Sequence, residues 1–198
     1  MGLPVGLIAD KSGNGNHAVQ AVVAARPVLR ADESGRRYLE FDGVDDELRA
    51  GFACPQPWDR LSAIRQIGSS DFDRIFGGFT ANSGNLLQHP TEPQIYSLSG
   101  GSIGVVATAV PPIGANMVVA ERHGGTASRL AINDEAPFTG DAGTAPTDGV
   151  ALGGAGASTA ARHSNIRLYG VLMIGRALGD AETARLRRFM AARAGVAL

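Results

Sequence analysis

The chain has 198 residues, a formal net charge of −1 and 6% aromatic residues. Its near-neutral charge excludes the strong positive field that would draw it to nucleic acid or an anionic membrane surface. No apolar stretch approaches the ~20 residues of a membrane span, and a single cysteine, Cys54, excludes an intrachain disulfide. We therefore expect one domain, 1–198, that folds around its own core, without a nucleic-acid partner and without membrane insertion.

The predicted elements are mostly short strands separated by glycine, proline, asparagine or serine. In chain order the expected extended segments are 3–9, 18–30, 36–42, 61–67, 74–80, 94–98, 103–110, 117–122, 128–133 and 166–174. By composition alone, 18–30 also permits a helix. Segments 138–148 and 153–164, rich in small residues, are expected to be loops. Strands spaced in this way predict a β-sandwich rather than βαβ units.

A helix is predicted over about 180–194. Asp180 can cap its start, Glu182 lies in its positive first turn, and Gly195 can end it. An apolar stripe at helical spacing is expected to pack on the sandwich; it comprises Leu186, Phe189, Met190 and Arg193. Three arginines are expected to face outward: Arg185, Arg187 and Arg188.

Three stretches carry a family resemblance. Residues 10–18 read Asp-Lys-Ser-Gly-Asn-Gly-Asn-His-Ala, and 38–48 read Tyr-Leu-Glu-Phe-Asp-Gly-Val-Asp-Asp-Glu-Leu. Residues 168–182 read Leu-Tyr-Gly-Val-Leu-Met-Ile-Gly-Arg-Ala-Leu-Gly-Asp-Ala-Glu. These stretches resemble the laminin-G-like, concanavalin-A-like jelly rolls. The resemblance implies an all-β, antiparallel β-sandwich of the concanavalin-A-like jelly-roll type with a short C-terminal helix, and an extended 18–30. Such domains bind sugars or proteins more often than they catalyse.

The C-terminal ending is also similar to endings in bacterial and phage-like proteins, including tail, spike and fibre components. This similarity implies a carbohydrate-binding adhesion module of a phage-like virion or gene-transfer particle. The implied partners are host-surface polysaccharide, other particle proteins and further copies in a homo-oligomer, since several weak sites together grip a surface. No basic leader precedes Asp10, so we expect synthesis in the cytoplasm without a signal peptide. The alternative is a structural connector of such a particle, marked by a flat hydrophobic face instead of a sugar site.

An oxygen-rich loop near the start could hold calcium. Asp10, Ser12 and Asn14 occupy the first, third and fifth positions of a calcium loop, and a glycine stands at the sixth. The glutamate of an EF-hand is missing at the twelfth position, and a carboxylate from 42–46 could replace it. The other interpretation is a metal-free turn in which Asp10 and Asn14 bond their own backbone.

A sugar site needs aromatic faces together with amides or carboxylates. The candidates on or near predicted loops are Trp58, Tyr96, His89, Asn82, Asn85 and His123. For Trp58, a core position beside the proline-rich connection 53–58 is an equal alternative. For the others, plain exposed polar residues are the alternative.

Three enzyme motifs lack their context. Residues 100–104 match the G-x-S-x-G nucleophile elbow, but a strand follows where a helix should. Residues 13–18 fit a loose dinucleotide fingerprint without βαβ alternation. Asp71 and Asp73 have the two-residue spacing of glycosidase carboxylates but lack a third partner. We therefore predict that the chain is not an enzyme, with a glycan hydrolase as a remote alternative.

Overall fold

The structure is a computed structural model that describes residues 2–69, 72–79, 83–89, 92, 94–100, 104–156 and 162–198. Two 3-10 turns, Val23–Ala25 and Gly125–Ala127, lie between strands. In chain order the other elements are β1 (Leu3–Pro4), β2 (Leu7–Ile8), β3 (Ala18–Val19), β4 (Val28–Ala31), β5 (Arg37–Asp42), β6 (Leu48–Cys54), β7 (Trp58–Gln66), β8 (Arg74–Gly77), β9 (Asn85–Gln88), β10 (Ile95–Leu98), β11 (Val105–Ala107), β12 (Asn116–His123), β13 (Ser128–Ile132), β14 (Phe138–Gly140), β15 (Thr147–Leu152), β16 (Asn165–Ile174) and α1 (Asp180–Ala194).

These strands form two antiparallel sheets of eight strands each. Sheet A has the order β1-β4-β5-β16-β7-β12-β13-β14, and sheet B has the order β11-β10-β9-β8-β15-β6-β3-β2. The predicted β-sandwich with a short C-terminal helix is confirmed. Among the described residues, no helix combines the length and hydrophobicity that a membrane crossing requires.

The main core lies between the two sheets. Alternation along β5 turns Leu39 and Phe41 inward, where Phe41 is fully buried, while Tyr38 points to the opposite face. Sheet B contributes Phe76 and Leu86, both fully buried, to the same core.

A second core lies on the outer face of sheet A, where α1 packs against β7, β12 and β16. Leu61, Ala63 and Tyr169 of the sheet meet Met190 and Ala191 of the helix. Sheet A is therefore covered on both faces, which explains why nearly every residue of β7 is buried.

The helix has its predicted bounds, but its packing face differs from the predicted one. Gly179 is the N-cap, and Gly195 ends the helix at φ 68° in the left-handed region. The buried positions are Met190, Ala191 and Ala194. Phe189, predicted to pack, is 51% exposed. Small alanines let the helix lie close to the sheet, and this rotates the packing face away from Phe189.

Arg187 is also misplaced by the sequence prediction. It is half-buried, whereas Arg185 and Arg188 face outward as predicted. Arg187 precedes Met190, Ala191 and Ala194 by three, four and seven positions, so it belongs to the packing face itself.

Four strands lie in segments where the sequence predicted loops or no strand: β6, β9, β14 and β15. The segment 138–148 is mostly small residues, yet its two ends pair with β13 and β6. Within 18–30, the extended prediction holds for β3 and the start of β4, with a 3-10 turn between them.

Candidate functional site

Three aromatic side chains form a surface group at one end of sheet B, which we name the aromatic cluster: Phe72, His89 and Tyr96. Their ring centroids lie 5.2 Å apart for Phe72 and His89, and 5.9 Å apart for both pairs that include Tyr96. All three side chains are half-buried, so part of each ring faces solvent.

Strand pairing brings the aromatic cluster together. In β10, Ile95 and Ser97 point into the sandwich, so alternation turns Tyr96 outward. The register of β9 against β10 pairs Ile95 with Gln88, which places His89 beside the start of β10. The sequence placed Tyr96 and His89 among the sugar candidates, and the structure puts them next to each other. Phe72 was missed because it lies outside every predicted strand, and the spacing of Asp71 and Asp73 around it was considered only for its carboxylates.

Polar groups border the aromatic cluster. The Tyr96 hydroxyl donates to Gln94 Oε1 over 2.6 Å, and the Gln94 amide donates to Glu92. The Glu92 backbone N–H donates to His89 Nδ1 over 3.0 Å, so the imidazole carries its proton on Nε2 when neutral. Burial and the charge of Glu92 raise the pKa of Tyr96, so its hydroxyl stays protonated at neutral pH. Aromatic faces bordered by an amide, a carboxylate and a hydroxyl are the groups that sugar sites combine.

The other sugar candidates lie elsewhere. Trp58, Asn85 and His123 are fully buried, so a glycan at the surface cannot contact them in this conformation. Trp58 stacks on His123 with a centroid distance of 3.9 Å and an interplanar angle of 12°. This is the core position that the sequence left open for Trp58. Asn82 lies outside the described residues.

Trp58 and His123 belong to a buried polar network between the sheets. Arg60 donates to both carboxylate oxygens of Glu121 over 2.7 and 2.9 Å. His123 bonds the hydroxyls of Ser97 and Ser99 through its two ring nitrogens, each over 3.0 Å. The pairing of β7 with β12 sets Trp58 opposite His123 and Arg60 opposite Glu121, so both pairs point into the sandwich together.

Two titrations in this network are perturbed. Burial lowers the pKa of His123, so the imidazole is neutral at pH 7. Burial opposes the charged form of Glu121, but the charge of Arg60 and the hydrogen bonds that the carboxylate receives outweigh it and lower the pKa of Glu121. The network therefore holds an ion pair and a neutral imidazole, and a substrate cannot reach it in this conformation.

The predicted calcium loop is closed by its own hydrogen bonds. The Asp10 carboxylate accepts from Ser12 N and Ser12 Oγ, both over 2.8 Å, and from Asn16 N over 3.0 Å. The bonds from Ser12, first from its backbone N–H, lower the pKa of Asp10. Asn14 contributes its backbone N–H to Ser12 Oγ over 3.2 Å. This is the bonding of the metal-free turn, and calcium binding by Asp10, Ser12 and Asn14 stays a prediction.

A second acidic group follows β5. Asp42, Asp45 and Asp46 each offer a carboxylate oxygen, and these atoms lie within 4.8 Å of one another. Burial and the neighbouring charges of Asp42 and Asp45 raise the pKa of Asp46 to about 6. Three such carboxylates are a ligand set that suits a hard cation.

The strand register directs this acidic group and the Asp10 loop to different ends of β6. Val19 pairs with Arg49 in an antiparallel register, so the chain before Ala18 runs toward the end of β6. Asp42, Asp45 and Asp46 precede the start of β6. A ligand from 42–46 to the first loop stays a prediction.

No protein-family model matches the sequence, and no curated protein matches it significantly. Solved structures do share its fold. The sialidase of Trypanosoma rangeli in complex with sialic acid superposes with a TM-score of 0.59 at 14% identity, covering 92% of this chain and 32% of that one. Domain 4 of AbnA, a GH43 extracellular arabinanase from Geobacillus stearothermophilus in complex with arabinotriose, gives 0.59 at 15% identity, with 81% of each chain covered. The native heptameric SAP-like pentraxin of Limulus polyphemus gives 0.56 at 12% identity, covering 75% of this chain and 80% of that one.

These likenesses, together with the sheet topology, confirm the predicted fold class, an antiparallel β-sandwich of the concanavalin-A-like jelly-roll type. This chain spans about a third of the length of the sialidase it matches. The prediction that the chain is not an enzyme is contradicted, because sialidases contain this same fold. That prediction was based on the usual role of the family and on three enzyme motifs that lack the expected neighbouring elements. Fold class, however, does not decide activity.

Proposed function

We propose that this chain binds carbohydrate at the aromatic cluster on the outer face of sheet B. The observation that carries the proposal is the convergence of Phe72, His89 and Tyr96, from three separate parts of the chain, on one surface patch. In the part of the chain that the structure describes, no helix covers this outer face of sheet B, whereas α1 covers sheet A. Two of the compared proteins are solved with a sugar bound, sialic acid in one and arabinotriose in the other.

The chemistry of binding follows from the groups present. The C–H face of a pyranose ring stacks on the exposed part of the Tyr96 ring, where apolar contact is gained without loss of hydroxyl hydration. Ring hydroxyls then bond the amide of Gln94 and the carboxylate of Glu92, which the Tyr96–Gln94–Glu92 chain of hydrogen bonds holds in place. A half-buried patch of this size supports weak binding per copy, so grip on a polysaccharide requires several copies.

The finer proposal is that the ligand is a host-surface polysaccharide and that the chain is part of a spike or fibre of a phage-like or gene-transfer particle. Its support is the similarity of the C-terminal ending at 176–188 to such components. In this proposal the chain is synthesised in the cytoplasm and is then incorporated into the particle as a homo-oligomer.

The test is sedimentation of the purified chain with whole bacterial cells, with and without their free capsular polysaccharide. We expect co-sedimentation that the free polysaccharide abolishes and that Tyr96→Ala removes. Phe189→Ala is the matched control, because Phe189 is an exposed aromatic ring on the helix, far from sheet B. Equal loss of binding in both variants, or binding that the polysaccharide does not compete, contradicts the proposal.

A second candidate function is a connector that binds other particle proteins. Exposed large apolar side chains are concentrated in the first part of the chain: Leu3, Leu7, Val19, Val22, Val23 and Val44. Leu7 and Val19 are paired across β2 and β3 at the edge of sheet B. A Leu7→Asp, Val19→Asp double variant that loses its oligomeric size in sedimentation equilibrium, yet keeps polysaccharide binding, favours this function for the edge. An unchanged size contradicts it.

A further inference from the structure

A cleft of about 310 Å³ lies between the start of α1 and the outer face of sheet A. Its apolar lining comes from β7, β12, β13 and the turn after β13: Leu61, Ala120, Ala131 and Pro137. Its charged side chains are Asp59, Arg122, Arg129, Asp180 and Arg187. The volume is at the lower end of the ~300–1,000 Å³ range of small-molecule sites, so the cleft suits one monosaccharide-sized ligand.

The charges in the cleft do not cancel. Arg122 donates to both oxygens of Asp59 over 2.9 Å each, so this pair is satisfied. Arg129 reaches Asp180 over 3.5 Å at the exposed rim, a weaker contact. Glu121 also borders the cleft, but its carboxylate points the other way, to Arg60 in the core.

Arg187 is the third arginine of the cleft, and no described carboxylate forms an ion pair with it. It is half-buried, and its Nη2 atom is enclosed without a hydrogen-bond acceptor among the described residues. Desolvation lowers the pKa of Arg187, and only the charge of Asp134 works against this. A buried guanidinium N–H without an acceptor is costly. Because Nη2 is enclosed, the side chain must turn toward the cleft that Arg187 lines before an anion there can satisfy it.

We propose that this cleft binds the carboxylate of an acidic monosaccharide such as a uronate. Arg187 and Arg129 hold the carboxylate, because a planar guanidinium matches its two oxygens. The sugar ring lies on the apolar floor of Leu61, Ala120 and Ala131. Ring hydroxyls bond Asp180 and Thr183 at the start of α1. The site is separate from the aromatic cluster, because the two lie on the outer faces of different sheets, and it does not depend on the function proposed above.

The test is a titration with glucuronate, followed by backbone amide shifts in NMR spectra and by calorimetry. Glucose, acetate and inorganic phosphate are titrated at the same ionic strength. We expect saturable shifts at Ala131 and Ala184 with glucuronate, smaller shifts of the same two residues with acetate, and none of them with glucose. If acetate binds as tightly as glucuronate, the sugar ring does not contact the apolar floor of the cleft. If phosphate binds more tightly than both, the site does not select a carboxylate.

Two variants distinguish a specific contact of Arg187 with the ligand from a general effect of positive charge. Arg187→Gln is expected to weaken glucuronate binding about tenfold or more, the effect of losing a charge-assisted hydrogen bond. Arg188→Gln removes the same charge from the next, exposed position and is expected to stay within about twofold. Equal weakening by both variants overturns the site.

A conservative variant guards against a folding defect in Arg187→Gln. Arg187→Lys keeps the charge but loses the fork, and is expected to bind more weakly than the parent and more tightly than Arg187→Gln. Shifts at Ala131 and Ala184 report this cleft, whereas shifts at Tyr96 report the aromatic cluster, so failure of this site and failure of the aromatic cluster are distinguishable. Parent-like glucuronate affinity in Arg187→Lys and Arg129→Gln together overturns the proposal.

Discussion

Replacing Glu121 by glutamine tests the account of the buried polar network. The substitution keeps the shape of the side chain but leaves the Arg60 guanidinium, 1% exposed on its side chain, without its counter-charge. Removing one partner of a buried ion pair costs about 3–5 kcal/mol. Because glutamine can still accept one hydrogen bond from Arg60, we expect the lower end, about 3 kcal/mol, or roughly 6–12 °C in melting temperature for a domain of this size.

The assay is urea denaturation followed by the fluorescence of Trp58, the single tryptophan, which is fully buried beside the network. Glu40→Gln is the matched control, since Glu40 pairs with Arg30 at the surface and such a pair is worth about 0–1 kcal/mol. A double variant, Arg60→Met with Glu121→Leu, should recover part of the loss because no charge stays buried. If Glu121→Gln shifts the midpoint no more than Glu40→Gln, the reasoning about the network is refuted.

Three other predictions concern stability. Burial lowers the pKa of His123, so just below pH 6.5 the unfolded chain binds this proton and the folded chain does not. The free energy of unfolding should therefore fall as the pH drops below about 6.5. His123→Asn should reduce this slope by up to ~1.4 kcal/mol per pH unit, measured by urea denaturation at several pH values. An unchanged slope contradicts this. About 10 mM calcium should raise the melting temperature by binding to Asp42, Asp45 and Asp46, and Asp46→Asn should abolish this rise. If Asp10→Asn abolishes the rise instead, the calcium ion lies in the first loop. Asp59→Asn should cost about 1.5–3 kcal/mol of unfolding free energy, because the carboxylate accepts from Arg122 twice and from the Leu178 backbone that leads into α1; an unchanged denaturation midpoint is the contrary result.

Local signals explain what the sequence predicted well. The end of α1 was placed correctly because Gly195 acts through its own left-handed backbone, without help from the rest of the fold. The strand β5 was found because its alternating residues match the period of a half-buried strand.

The misses come from long-range pairing. Trp58 and His123 stand beside proline and glycine, so the sequence placed them near loops, but the register of β7 with β12 carries both into the core. Arg187 was predicted to face outward because charge normally marks the solvated face. Its position was decided by the alanines around it, which bring α1 close to sheet A. The aromatic cluster instead comes from 72–96, in or beside the consecutive strands β8, β9 and β10, and it was missed because β9 and its register with β10 were not predicted.

The most direct test of the central claim is calorimetric titration of the chain with the polysaccharide that competes in sedimentation, comparing the parent with Tyr96→Ala, Tyr96→Phe and Phe189→Ala. The account predicts that Tyr96→Ala weakens binding about tenfold or more, equivalent to ~1.4 kcal/mol, while Phe189→Ala binds like the parent. Tyr96→Phe should retain the stacking face and lose only the contribution of the hydroxyl that holds Gln94. Parent-like affinity in Tyr96→Ala would contradict carbohydrate binding at the aromatic cluster.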